Sequence, residues 1–284
     1  MKLKMFFALL AIGLFSFALQ SCDDDDDGFA SAPNVIEEAF NQKFNDVHHK
    51  WETRGSYYVA EFKHENHHAE AWFTPDGKWM MTETDIPYEA LPQAVKTAFE
   101  ASEYAAWKRD DVDRLEREGM ETVYVIEVEK GKDEVDLYFD ANGNLIKAVV
   151  DTDNNSEDYL PAPLADAVKQ QLETMYPGYR LLEIDVEKVG TETFTEVDIL
   201  HNKTKKEVLF SADGKWYSTS WEVRITDVPK TLVDKVLEAN PGFRIDDDEA
   251  DFVESVNGSF YVIELEKGET EIHVRISVEG EILK

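Results

Sequence analysis

Val123-Tyr-Val-Ile-Glu-Val-Glu-Lys-Gly131 returns as Phe260-Tyr-Val-Ile-Glu-Leu-Glu-Lys-Gly268, 137 residues later. The same offset relates Asp76-Gly-Lys-Trp79 to Asp213-Gly-Lys-Trp216, Pro92 to Pro229 and Gly143 to Gly280. One offset holding from Phe73 and Phe210 to the end of the chain marks a tandem duplication. Within the quoted stretch, Val123 and Val125 alternate with Tyr124 and Ile126, the two-residue period of a strand.

A finer repeat lies inside the duplication. Phe73-Thr-Pro-Asp-Gly77, Phe139-Asp-Ala-Asn-Gly143, Phe210-Ser-Ala-Asp-Gly214 and Ile276-Ser-Val-Glu-Gly280 each end an apolar run with an acid or amide followed by glycine. Such pairs signal hairpins, because the glycine accepts positive φ. Each of the four resulting units opens on a helical pattern: Ile36, Phe40 and Phe44; Leu91, Val95 and Phe99; Leu164, Val168 and Leu172; Leu232, Val236 and Leu237. Pro33, Pro92 and Pro229 stand at three of the helix starts. The expectation is an α+β fold: two tandem domains, each of two helix-plus-antiparallel-meander units with helices on one sheet face.

The leader reads separately. Lys2 and Lys4 precede the apolar run Met5–Leu19, which ends in Leu19-Gln-Ser-Cys22. The run is short for a membrane span and suits a signal segment. Its end resembles the bacterial lipobox, which implies cleavage before Cys22 and lipidation of that residue. Asp23, Asp24, Asp25, Asp26 and Asp27 follow at once and resemble the surface-export signal of Bacteroidetes lipoproteins. The expected plan is a signal peptide at 1–21, an acidic tether at 22–32, domains at 33–152 and 160–284, and a solvated linker at 153–159. The expected location is the outer membrane, exposed at the cell surface, with the periplasmic side as the alternative.

Helix-then-meander units in tandem, Tyr-x-Ile-Glu-x-Glu strands, Phe-x-x-Asp-Gly hairpins and this leader together resemble the PepSY-like, β-lactamase-inhibitor-like family over roughly residues 33–284. The resemblance implies α+β domains whose antiparallel sheets can form an open binding surface. The inhibitor's contact loops have no recognisable match, so it does not imply an inhibited enzyme.

Composition bounds the function. The 284 residues carry 29 Lys+Arg against 60 Asp+Glu, a net charge of −31. That field repels phosphate backbones and anionic lipid, which excludes nucleic acid and leaves the lipid anchor as the only membrane contact. The single cysteine excludes internal disulfides and cysteine-based zinc clusters.

Catalytic motifs are sparse. His64-Glu-Asn-His-His68 spells H-E-x-x-H, but the flanking Tyr57–Phe62 and Ala69–Phe73 read as strands rather than the helix that a zinc peptidase needs. His64, His67 and His68 remain candidates for a loose metal site. Acidic stretches at Asp110–Asp113, Asp151–Asp158 and Asp246–Asp251 read as solvated loops, with calcium as the alternative. There is no G-x-S-x-G and no phosphate-cradling glycine loop. The reading is a non-catalytic, lipid-anchored envelope protein that needs no cofactor and recognises a protein or peptide ligand on its sheets, with Trp72 and Tyr138 as candidate contacts. A calcium- or transition-metal-binding protein is the alternative, and a metal-dependent hydrolase the third.

Overall fold

The computed structural model describes residues 31–284 apart from 46, 152–155, 190, 247, 269 and 284. The chain divides into two compact units, the first running through Pro161 and the second beginning at Ala162.

In the first unit, helix α1 (Asn34–Phe44) leads into strands β1 (His49–Arg54), β2 (Tyr57–His64), β3 (His67–Phe73) and β4 (Trp79–Asp85). Helix α2 (Gln93–Ala101) then leads into β5 (Lys108–Arg117), β6 (Val123–Lys130), β7 (Asp133–Asp140) and β8 (Leu145–Asp151). The eight strands form one antiparallel sheet in sequence order. The two meanders implied by the repeat are thus fused, through the pairing of β4 with β5.

The second unit repeats the plan. Helix α3 (Asp166–Met175) precedes β9 (Arg180–Val189), β10 (Glu192–His201), β11 (Thr204–Ser211) and β12 (Trp216–Arg224). Helix α4 (Lys230–Ala239) precedes β13 (Arg244–Ile245), β14 (Glu249–Ser255), β15 (Gly258–Lys267), β16 (Thr270–Ser277) and β17 (Ile282–Leu283). These strands again run antiparallel in order, except that the short β13 pairs with β15 off the main path. Among the described residues no helix is long and apolar enough to cross a membrane.

The helices begin where backbone chemistry favours it. Pro33, Pro92 and Pro229 sit at the N-caps of α1, α2 and α4 with extended ψ, and their carbonyls accept the first helical hydrogen bonds. Each helix buries one stripe. Ile36, Phe40 and Phe44 of α1 pack on Trp51, Phe62 and Phe73, while Val95 and Phe99 of α2 pack on Ile126, Leu137 and Phe139. Val168 and Leu172 of α3 and Leu232 and Val236 of α4 do the same in the second unit.

The four glycine turns share one geometry. In each, the residue four before the post-glycine position both donates to that position's carbonyl and accepts from the glycine: Thr74 with Lys78 and Gly77, Asp140 with Asn144 and Gly143, Ser211 with Lys215 and Gly214, Ser277 with Glu281 and Gly280. The glycines sit at φ of +84°, +84°, +73° and +89°. This is a glycine-bulge hairpin, and the strand register shifts beside it at Trp72/Phe73, Tyr138/Phe139 and Leu209/Phe210.

Candidate recognition face

Residues paired across antiparallel strands point to the same side of the sheet, and the side alternates along each strand. The helices therefore define one face of each sheet, and the register fixes the other. In the first unit Phe62 pairs with Ala69 on the helix side, so the flanking pairs Lys63–His68 and Glu61–Glu70 lie on the helix-free side. The same register places Val59, Trp72, Met81, Glu83, Asp113 and Asp136 there.

That register disposes of the histidine motif as a joint site. The hairpin expected from the sequence is present, with Glu65 and Asn66 at positive φ in the β2–β3 turn. His64 pairs with His67 on the helix side, where the His64 ring meets Phe44 and Phe62. His68 points to the opposite face, and its Nδ1 lies 3.2 Å from Asp85. Two residues four apart share a helix face, but His64 and His68, four apart around a two-residue turn, point to opposite faces of the sheet. Cys22 and Asp23–Asp27 lie outside the described residues.

The helix-free face of the first sheet is an apolar patch beside a buried acidic one. Val59, Trp72 and Met81 are fully buried, with Tyr57 edge-on to Trp72 at 5.9 Å. Arg54 forks onto Glu70, with one arm at 2.6 Å, and stands 5.4 Å above the Trp72 ring. The Glu70 hydrogen bond, ahead of the cost of burial, raises the Arg54 pKa. Deeper in the sheet, burial, with Glu70 adding repulsion, pushes Glu83 up to about 8. Burial, reinforced by Glu83 and Asp111, raises Asp113 well above the usual carboxylate range. Glu83, held this way, is mostly protonated at neutral pH.

Trp72 and Tyr138, the candidate contacts, do share this face, but both are covered: Trp72 is fully buried and Tyr138 is 3% exposed. The cover is the segment expected to be a solvated linker. Ser156–Tyr159 forms a short 3₁₀ turn. Tyr159 and Leu160 pack against Val59, Trp72 and Met81, and the Tyr159 ring meets Tyr138 edge-on. The acidic composition around it pointed to solvent; the aromatic-aliphatic pair at its end seats it on the sheet instead. The acidic stretches at Asp110 and Asp246 need a similar correction, because Asp113 and Asp251 lie within strands and are buried.

The second sheet conserves the polar part of the plan with a different cation. Glu61 and Glu70 gather on Arg54 of β1; their counterparts 137 residues on, Asp198 and Glu207, gather on Lys205 of β11 at 3.3 and 3.1 Å. Burial works against the Lys205 charge, but Asp198 and Glu207 outweigh it and raise its pKa. Leu209 stands where the first sheet has Trp72. Elsewhere in this unit, Asp246, Glu264 and Glu271 each place one oxygen within 4.8 Å of the others, a cluster the sequence reading reached only at Asp246. Trp79 and Trp216 have the structural role their equivalence implied: each indole N–H donates to a threonine three residues on, Thr82 at 3.0 Å and Thr219 at 2.9 Å.

The repeats seen in sheet and turn are matched by the sequence profile of the β-lactamase-inhibitor-like, PepSY-like family over residues 56–147 and again over 194–284. The chain belongs to that family. The two PepSY-like repeats run from β2 to β8 and from β10 to β17, leaving Ser156–Leu160 between them. Among solved structures, a BLIP-like protein of Bacteroides fragilis is 36% identical, covering 46% of this chain and 96% of its own with a TM-score of 0.44. A DUF2874 family protein of Bacteroides ovatus is 26% identical over 43% of this chain and 89% of its own, TM-score 0.41. Another from Bacteroides uniformis is 25% identical over 44% and 94%, TM-score 0.42. No curated protein matches the chain.

Proposed function

We propose that this chain is a non-catalytic, lipid-anchored protein of the cell envelope that recognises a protein or peptide on the helix-free face of its first sheet. The observation that carries the reading is that this face already holds a short peptide segment, seated on Trp72, Met81 and Val59. Buried aromatic and sulfur-bearing side chains beside an arginine are the chemistry of interface anchors. The leader supports this reading: in it Cys22 is the lipidated residue, Asp23–Asp27 the export signal, and the outer-membrane surface the destination. Two experiments test this. A Cys22→Ala chain should leave the membrane fraction. A photo-crosslinking residue at Tyr57, at the rim of the face, should capture one specific protein from intact cells; a yield no different from that of a probe at Lys169 on α3 would sink the recognition reading.

Asp246, Glu264 and Glu271 favour a second reading, a divalent-cation-binding envelope protein, since calcium takes several carboxylate oxygens. Calorimetry with calcium decides it, and heat unchanged by Glu264→Gln removes it.

A further inference from the structure

Every contact described for Ser156–Leu160 is with the first unit. The Ser156 side chain hydrogen-bonds the Glu83 carboxyl, Tyr159 stands against Tyr138, and Leu160 lies with Tyr159 on Val59, Trp72 and Met81. The segment lies between the two matched repeats.

We propose that Ser156–Leu160 is an intramolecular occupant of the recognition face, and that the partner is a peptide segment presenting the same chemistry: a hydroxyl side chain followed three and four residues later by an aromatic and an aliphatic anchor. This rests on the recognition reading above. The strap makes partner binding a competition, because the tethered segment must leave before another can enter.

The fit of the strap is incomplete in a way that leaves room for a competitor. Beneath it, Trp72 Nε1, Glu83 Oε2 and Asp113 Oδ1 are buried without hydrogen-bond partners among the described residues. Each such atom forgoes a bond that a longer peptide backbone can supply: a carbonyl for the indole N–H, and amides for the carboxyl oxygens. A partner that makes those bonds displaces the strap.

The strap also responds to pH. Around Glu83 stand Glu70 of β3, Asp85 of β4 and Asp113 of β5, with Asp136 of β7 and the Tyr159 hydroxyl of the strap next to Asp113. Arg54 of β1, already engaged by Glu70, acts on Glu83 as a cation, and Arg117 of β5 is buried on the same face. Asp111 adds to the repulsion on Asp113, and His68 stands beside Asp85 at the rim. Carboxylates outnumber cations here, so each proton lost adds repulsion under the strap. With Glu83 raised from 4.5 to about 8, closure is favoured at low pH and weakens as pH rises through that window.

Met81 provides the readout, since it is fully buried under the strap while Met175 on α3 is exposed. In the full chain treated with hydrogen peroxide, the Met81-to-Met175 oxidation ratio should rise at least tenfold in Tyr159→Ala/Leu160→Ala. It should fall again on adding a synthetic peptide of residues 156–162. That peptide should bind the double variant at least tenfold more tightly than wild type. A wild-type ratio in the variant, or equal peptide affinity for both, overturns the proposal. Leu160→Ser alone, which keeps Tyr159, is the second arm and should raise the ratio at least threefold. Wild type taken from pH 6 to pH 9 should show a rising ratio, and a flat profile removes the pH response. If the peptide binds neither chain while the Tyr57 probe still captures a protein, the strap idea falls and the recognition reading stands. If the peptide binds the opened variant but the probe captures nothing with it, the reverse holds.

Discussion

Tyr159 meets Tyr138 edge-on, ring centroids 6.0 Å apart and planes at 78°. The contact joins a residue from the segment between the repeats to the seventh strand of the first sheet, and closes the tyrosine over buried carboxyls. Aromatic pairs of this geometry add to what area burial alone contributes. Tyr159→Ala should therefore destabilise the first unit by about 2–3 kcal/mol, below the loss for a fully buried aromatic because Tyr159 is only partly buried. Urea denaturation followed at two probes, one per unit, checks it: the first transition should move to lower urea and the second should stay.

Glu83 supplies a pH dependence whose sign is fixed. Its pKa is raised from 4.5 to about 8 by burial, so the folded state holds the proton more tightly than the unfolded chain. Its stabilisation is fully present below pH 4.5 and is lost as pH climbs through 8. Glu83→Gln, which cannot ionise, should flatten the decline, with a gain over wild type at pH 9 about 4 kcal/mol larger than at pH 5. Denaturation curves at the two pH values decide this, and equal differences at both would contradict it.

Gly143 and Gly214 occupy the same position in two of the turns, yet they should respond differently. Both have positive φ, so alanine is strained at either. A Cβ on Gly143 would also stand 2.5 Å from the backbone carbonyl oxygen of Ala94 on α2, whereas one on Gly214 meets only a Val168 methyl at 3.7 Å. Gly214→Ala should cost about 1 kcal/mol and Gly143→Ala about 3 kcal/mol, because backbone cannot move aside as a side chain can. Thermal unfolding of the two variants, compared directly, tests the ordering.

Thr82 and Thr219 accept from equivalent tryptophans, but Thr219 also bonds the Tyr176 hydroxyl at 2.7 Å in a buried site. Replacing threonine by valine leaves each indole donor without its acceptor. The expected loss is about 1 kcal/mol for Thr82→Val and about 2 kcal/mol for Thr219→Val, with the Trp216 environment changing in near-ultraviolet circular dichroism only in the second.

The histidine hairpin should not bind zinc as a unit, since His68 faces away from His64 and His67. Substituting all three by alanine should leave any zinc isotherm unchanged; loss of a saturable micromolar site would show that the hairpin rearranges around metal.

Local signals made the repeats readable. The prolines before α1, α2 and α4, the apolar residues four apart and the four glycine turns each have a cause within a few residues, and each appears where expected. The candidate recognition face was only half legible. Trp72 and Tyr138 stand out by residue type, but their burial depends on Tyr159 and Leu160, which arrive from a distant part of the chain inside an acidic stretch. Asp113, Asp136 and Asp198 alternate with apolar residues, a pattern that reads as solvent-facing. They are buried, and only neighbours on other strands reveal it.

The sequential order of the strands has a consequence for how such a protein forms and grows. Along each main path neighbouring strands follow one another in the chain, except that β12 bonds β14 past the short β13, so no strand must be threaded between two others already in place. Mostly short-range pairing lowers the entropy lost before contacts form, which favours rapid folding. It also means that a helix and meander can be appended at a sheet edge without repacking the strands already there.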